Sequence, residues 1–203
     1  YMEFRRVLFR STPAEGKVYE LVPTATKGDE TGKVVAGETK EVTYVYKEVT
    51  GDVVVHYVDT EGNTLAEDTK DVENGSLSEK YDTTDNKPAK LEKDGTVYYL
   101  TAKELKDGSK PENGAVVEGT TEVTYVYEKA GSVIVNYKTE DGTPLAGTVV
   151  DEDGAGKTVE SGAKDIDNGK PGTAYNTADN GMKPTRIKTA EGKVYELVPD
   201  LTE

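Results

Sequence analysis

The sequence predicts a mainly-β protein assembled from tandem copies of one small unit, and three observations carry that prediction. First, the run GDVVVHYVDTEGNTLA at residues 51–66 returns as GSVIVNYKTEDGTPLA at residues 131–146, 80 residues later. Second, EVTYVY at 41–46 returns at 122–127, and EGKVYELVP at 15–23 returns at 191–199. Repetition at near-constant spacing is the mark of an array built from one supersecondary unit. Third, the repeated runs are rich in Val, Tyr and Thr and are punctuated by Gly-containing turns, whereas no stretch has convincing helical periodicity.

Aligning the copies divides the chain. Residues 12–50 are the C-terminal part of one unit, 51–130 a whole unit, and 131–203 a unit that stops early. Residues 1–11 fit no copy. They hold three of the four arginines and both phenylalanines, and back-translation of residues 3–11 resembles the tail of a sequencing adapter. We therefore read 1–11 as a foreign, adapter-derived segment and the chain as an internal fragment, and leave that segment out of fold reasoning.

Each element of the unit has a local reason. In the opening run, Val53, Val55 and Tyr57 share one face and are matched by Val133, Val135 and Tyr137. The opposite face tolerates polar groups, His56 in one copy and Asn136 in the next. That pattern is a half-buried strand. Glu61-Gly62-Asn63 and Asp141-Gly142-Thr143 follow with turn chemistry, because Gly and Asn accept positive φ. Corresponding segments then run from Asp71 to Asn86 and from Asp165 to Asn180. Their larger offset shows that the third copy carries extra residues, concentrated in 147–164, which read as a Gly-, Thr- and Asp-rich surface loop. A second hairpin has Asp94-Gly95 at its tip, repeated at Glu191-Gly192. Residues 102–106 read as at most one short helical turn. A polar loop at 106–114 leads to the closing strand Val123–Tyr127, whose Tyr125 and Tyr127, like Tyr44 and Tyr46, share one face as packing residues.

Composition narrows the classes of partner. A formal net charge of −14 and a pI near 4.6 disfavour nucleic acid, which is bound through clustered Lys and Arg, and anionic membrane surfaces. No apolar run approaches the ~20 residues of a membrane helix. Cysteine is absent, so there is no disulfide, no thiolate metal site and no cysteine nucleophile.

A unit that opens V-x-V-x-Y-x-D-x-x-G-x-x-L-A, passes through G-x-x-Y-x-T and closes V-T-Y-V-Y resembles the MucBP (mucin-binding protein) repeats of Gram-positive, streptococcal-type cell-surface adhesins. The residues that carry the resemblance are Val53, Val55, Tyr57, Asp59, Gly62, Leu65 and Ala66, then Tyr81 and Thr83, then Val123 to Tyr127. It covers essentially everything after residue 11. The longer hairpin at Asp94-Gly95 and the insert in the third copy depart from the pattern. The resemblance implies tandem β-grasp-like (ubiquitin-like) modules in a secreted surface protein held on a Gram-positive cell wall, with signal peptide and anchor outside this fragment. Only 47–50 and 128–130 separate a closing strand from the next unit. Linkers that short restrict bending, so an elongated, semi-rigid rod is expected.

The motif residues are structural patterns, and the search for chemistry is brief. His56 is the only histidine, its counterpart is Asn136, and it reads as a solvated residue rather than a general base. No Ser-His-Asp or Cys-His set can be assembled, so no enzyme is expected. Asp151 and Asp153, and Asp165 and Asp167 before Gly169, alternate carboxylates but lack the EF-hand spacing, so no metal or other cofactor is expected. A Lys–Asn isopeptide bond would need a buried Lys, Asn and acid, for which no distinctive motif is present. The thirteen tyrosines remain as ligand candidates, since an aromatic face suits sugar C–H groups. Tyr98, Tyr99 and Tyr195 are the ones singled out. Adjacent Tyr98 and Tyr99 fall on opposite strand faces; Tyr19 and Tyr195 align with Tyr98, a recurrence that favours packing at that position. Two functions follow from the resemblance. In one, the repeats bind host mucin or other glycans and glycoproteins weakly and multivalently, each chain monomeric and extended. In the other they are a stalk that projects a distal adhesive domain.

Overall fold

The computed structural model describes residues 10–11 and 16–201. Of the segment read as foreign, residues 1–9 lie outside the described residues. The chain divides into two compact units. One comprises the residues up to Lys93 with Leu100–Tyr127, the other Asp94–Tyr99 with the residues from Glu128 onward.

In the first unit, β1 (Arg10–Ser11), β2 (Tyr19–Leu21) and β3 (Tyr46–Glu48) form an antiparallel sheet in that order. The whole repeat follows with β4 (Thr50–Asp59), β5 (Thr64–Ser76), β6 (Lys80–Asp82), β7 (Lys90–Lys93), β8 (Thr96–Leu105), β9 (Asn113–Ala115) and β10 (Gly119–Lys129). Five of these make a sheet of order β5-β4-β10-β8-β7, while β6 and β9 pair separately. β4 and β5 are an antiparallel hairpin, and the opening and closing strands β4 and β10 run parallel at its centre, from Gly51 beside Gly119 to Asp59 beside Tyr127. The period-2 pattern of Val53, Val55 and Tyr57 therefore faces that of Val123, Tyr125 and Tyr127, and all six are buried. The Tyr57 and Tyr127 rings meet at 6.3 Å, tilted by 56°, within the preferred range for aromatic pairs.

Two glycine positions show how tightly the backbone is specified. Gly95 at the β7–β8 turn has φ +79° and Asp94 before it +51°, the paired left-handed residues of a type I′ hairpin. At Gly51 a Cβ would lie 1.8 Å from the Val117 carbonyl oxygen, so only glycine lets the chain enter the sheet there.

The second unit contains β11 (Gly131–Val135), β12 (Ala146–Val149), β13 (Thr158–Glu160), β14 (Ala163–Gly169), β15 (Arg186–Lys188) and β16 (Val194–Glu196). β11 pairs with β14, in the way β4 pairs with β5: Gly131 faces Gly169 as Gly51 faces Gly75, and Val133 faces Ile166 as Val53 faces Val72. The other four strands form a sheet of order β13-β12-β15-β16, over a small core of Leu145, Val149, Val159 and Ile187.

Three expectations are corrected. Residues 147–164 are not simply a surface loop: they supply the end of β12 and all of β13, and their Val149 and Val159 are core residues. The Gly and Asp content is real but belongs to the exposed 151–157 tip, and only two apolar side chains were needed to seat the flanks. Residues 102–106 do not form a helical turn, because β8 continues to Leu105, bending at Glu104 with φ +64°. Tyr44 and Tyr46 are exposed, whereas their copies Tyr125 and Tyr127 are fully buried. Residues 16–48 hold no counterpart of β4 to cover them.

Candidate functional site

The three tyrosines singled out from the sequence do not converge on one surface. Tyr98 is buried. Tyr99, half-buried on β8, donates its phenol to the Asn168 carbonyl at 2.7 Å. Tyr195 on β16 packs against the core of Leu145, Val149, Val159 and Ile187. Each ring is engaged in packing or hydrogen bonding within the fold.

The residues that define the repeat motif are likewise turned inward. Asp59 accepts the backbone N–H groups of Glu61 and Asn63, both at 2.9 Å, and so closes the first turn. Tyr57 donates to the Asn86 carbonyl at 2.6 Å, and its copy Tyr137 donates to the Met182 carbonyl at 2.6 Å. Asn86 in turn donates to Asp71 at 2.8 Å, an arrangement repeated between Asn180 and Asp165. Burial nevertheless holds the Asp71 carboxyl above its ordinary value, since desolvation disfavours the charged form. Tyr81 donates to the Pro111 carbonyl.

The densest polar cluster lies under the closing strand. Thr83, with no exposed surface, donates its single hydroxyl proton to the Tyr125 hydroxyl at 2.6 Å, with the Glu112 carbonyl oxygen 2.8 Å away. Tyr125 donates to the Glu112 carboxylate at 3.2 Å. Lys87 bridges Glu104 at 2.8 Å and Glu112 at 3.0 Å, with its ammonium 5.8 Å from the Tyr125 ring centre, close enough for cation–π attraction. Bonds to Glu104 and then Glu112 raise the Lys87 pKa. Burial, reinforced by the Glu112 charge, pushes the Tyr125 phenol up to about 12. Loop residues 83, 87 and 112 and the end of β8 at Glu104 are thus stitched together beneath the closing strand.

His56 departs from the solvated residue expected of it. On β4, it lies between Asp68 on β5, 2.8 Å from Nδ1, and Glu122 on β10, 3.3 Å from Nε2. A neutral ring donates from one nitrogen only, a protonated ring from both. Sequence reading missed both this trio and the Lys87 cluster. The only signal was the run of charged residues at cross-strand positions.

The acidic loops considered for calcium are tied up locally: Asp151 pairs with Arg186, Asp165 with Asn180, and Asp167 with Lys164. Among the described residues no group of three or more His, Cys, Asp or Glu is placed to hold a metal ion. Within the second unit an open cleft of about 470 Å³ is lined by Tyr137, Lys157, Ser161, Lys164 and Met182 among others. Its lining also includes Glu160, and two of its polar groups are engaged within the fold, Lys164 with Asp167 and the Ser161 hydroxyl as donor to the Tyr137 carbonyl. No described helix is long and apolar enough to cross a membrane.

A mainly-β repeat whose signature residues hold turns and loops in place defines a class of structural module. The MucBP domain family matches residues 9–47 and 52–128, more than half of the chain, and the chain belongs to that family. It is also similar to a curated relative, the muramidase-released protein of Streptococcus suis. The two are 43% identical over 143 residues, covering 59% of this chain and 11% of the relative. The chain thus spans about a tenth of that protein's length.

Proposed function

We propose that this chain is part of the repeat region of a streptococcal-type surface adhesin that binds mucin or other host glycans and glycoproteins weakly, gaining avidity from copy number. Family membership across two successive repeats carries the reading. Extracellular display on a Gram-positive cell wall goes with it. The modules are β-grasp-like: the order β5-β4-β10-β8, with the first and last strands parallel at the centre, supports that topology. An elongated rod is supported by the junctions, where one residue, Val49, separates β3 from β4 and one, Ala130, separates β10 from β11. The role is non-catalytic, in keeping with a single histidine held between two carboxylates and a chain without cysteine.

A second reading, the non-binding stalk, is favoured by one specific observation: the motif tyrosines and the Lys87 cluster are satisfied within the fold. Retention of the purified chain on immobilised mucin separates the two. Adhesion predicts retention that is lost when the glycans are stripped. Elution of the chain with the void, even at high mucin density, would leave the stalk.

A further inference from the structure

Four Asn-Gly pairs occur in the sequence, at 74–75, 113–114, 168–169 and 180–181. An asparagine before glycine is the one whose side-chain amide is most open to attack by the next backbone nitrogen, because glycine sets no Cβ in the way and accepts the backbone angles that ring closure needs. Three of the pairs lie in strands. Gly75 stands opposite Gly51 and Gly169 opposite Gly131, while Asn113 and Gly114 pair with Asp82 and Tyr81. Their ladders hold those peptides in place. The fourth pair, Asn180-Gly181, lies in a bend outside any strand.

Two hydrogen bonds set the Asn180 side chain. Its Oδ1 accepts the Met182 backbone N–H at 3.3 Å, and its Nδ2 donates to Asp165. Accepting from the residue two ahead folds the side chain forward over its own C-terminal peptide, which brings Cγ alongside the Gly181 nitrogen. The Met182 N–H also sits on the oxygen that becomes an oxyanion when Cγ is attacked, as backbone donors do in acyl transfer. The whole repeat supplies a contrast. Asn86 makes the same bond, to Asp71 at 2.8 Å, but Lys87 and Pro88 follow it. A side chain therefore stands beside the next nitrogen, and the residue two ahead has no N–H to offer. Two residues make the difference: the third copy runs Asn180-Gly-Met-Lys-Pro184 where the whole repeat runs Asn86-Lys-Pro88.

We propose that Asn180-Gly181 is a self-modification site. The Gly181 nitrogen, its proton taken by hydroxide, bonds to Asn180 Cγ. The Cγ–Nδ2 bond breaks, and that nitrogen gains a proton from water and leaves as ammonia. The product is a cyclic succinimide. A water molecule then opens the ring at either carbonyl, leaving aspartate or, with the backbone rerouted through the side chain, isoaspartate. Hydroxide and water are the reagents. A carboxylate at position 180 has no N–H to give Asp165 and repels it. The loop so released carries the Met182 carbonyl that Tyr137 binds at 2.6 Å. The change runs one way, so it loosens the second unit with age, at a place where the whole repeat is protected. It is independent of glycan binding.

The test incubates the whole native chain at neutral and mildly alkaline pH and follows each asparagine by peptide mass spectrometry, with isoaspartate resolved from aspartate. Conversion of Asn180 is expected to outrun that of Asn74, Asn113 and Asn168 by roughly fivefold to tenfold, the rate that one hydrogen bond to the developing oxyanion supplies. It is expected to quicken as pH rises. In urea the four sites are expected to draw level. Gly181→Ala, where a Cβ would come no closer than 3.7 Å to the Lys157 ammonium, is expected to suppress conversion at Asn180 and leave the other three unchanged. Conversion at Asn180 no faster than at the strand sites would overturn the proposal. An equal lead in urea would overturn it as well, by making the lead a property of the sequence instead of the fold. Undiminished conversion in Gly181→Ala would do the same, by pointing to direct attack of water on the amide.

Discussion

Replacing Tyr125 by Phe isolates the polar cluster from the packing around it. The ring stays, so the core volume and the Lys87 ammonium above it are kept. Only the hydroxyl goes, and with it the contacts to Thr83 at 2.6 Å and Glu112 at 3.2 Å. A neutral hydrogen bond contributes about 1 kcal/mol and one to a carboxylate at the weaker end about 1.5, so the loss comes to about 2.5 kcal/mol. Thr83→Val removes only that same 2.6 Å bond, since the one Thr83 hydroxyl proton goes to Tyr125. The Glu112 carbonyl still accepts the Thr83 backbone N–H at 2.8 Å, so this loss is about 1 kcal/mol. The shared bond is counted in both, so the double variant is expected to lose about 2.5 kcal/mol, no more than Tyr125→Phe alone, a coupling of about 1. Urea unfolding of the whole chain, following the transition that exposes the central repeat, measures all three. In thermal melts Tyr125→Phe should lower that transition by about 10 °C. The reasoning is refuted if Tyr125→Phe falls within ~0.5 kcal/mol of the parent or the two losses simply add.

Two further outcomes follow from the same structure. The Tyr125 phenol, at about 12 in the fold and about 10 when unfolded, keeps its proton longer in the native state. Its contribution to stability is therefore complete below pH ~10 and is lost as pH rises toward ~12. Urea midpoints across that window should fall less steeply for Tyr125→Phe than for the parent, and equal slopes would count against burial as the cause. In the second unit, Val149→Ala removes two methyl groups' worth of contact from a side chain only 3% exposed, with an expected cost of about 2 kcal/mol. Asp153→Ala, at the exposed tip of the same insert, should stay within ~0.5. Equal effects at the two sites, read from the melting of that unit, would mean that the insert is not part of its core.

What the sequence disclosed was local. Alternation of Val53, Val55 and Tyr57 against His56 identified a half-buried strand, and Asp94-Gly95 identified a hairpin tip, because period-2 burial and positive φ are recorded within a few residues. The repeat itself marked the units. The misses are all non-local. Val149 and Val159 gave no periodic signal because a short strand needs only one inward side chain to be seated. Tyr44 carries the same hexapeptide as Tyr125 but a different burial, since burial depends on whether an opening strand lies alongside. The Lys87 cluster joins residues up to 42 apart in sequence, Thr83 with Tyr125, and the His56 trio joins residues 66 apart. Neither spacing has a motif. Tyr98 shows the converse, since its recurrence among copies already favoured the packing role that its burial fits.

The parallel pairing of β4 with β10 has a mechanical meaning. The whole repeat is entered at Thr50 and left at Lys129, and with Gly51 beside Gly119 and Asp59 beside Tyr127 those two points lie at opposite ends of one ladder. A tug along the chain pulls the two strands past each other lengthwise, so every rung bears force together instead of parting one after another like a zip. Tension applied along the chain would therefore meet its stiffest resistance at this pair of strands.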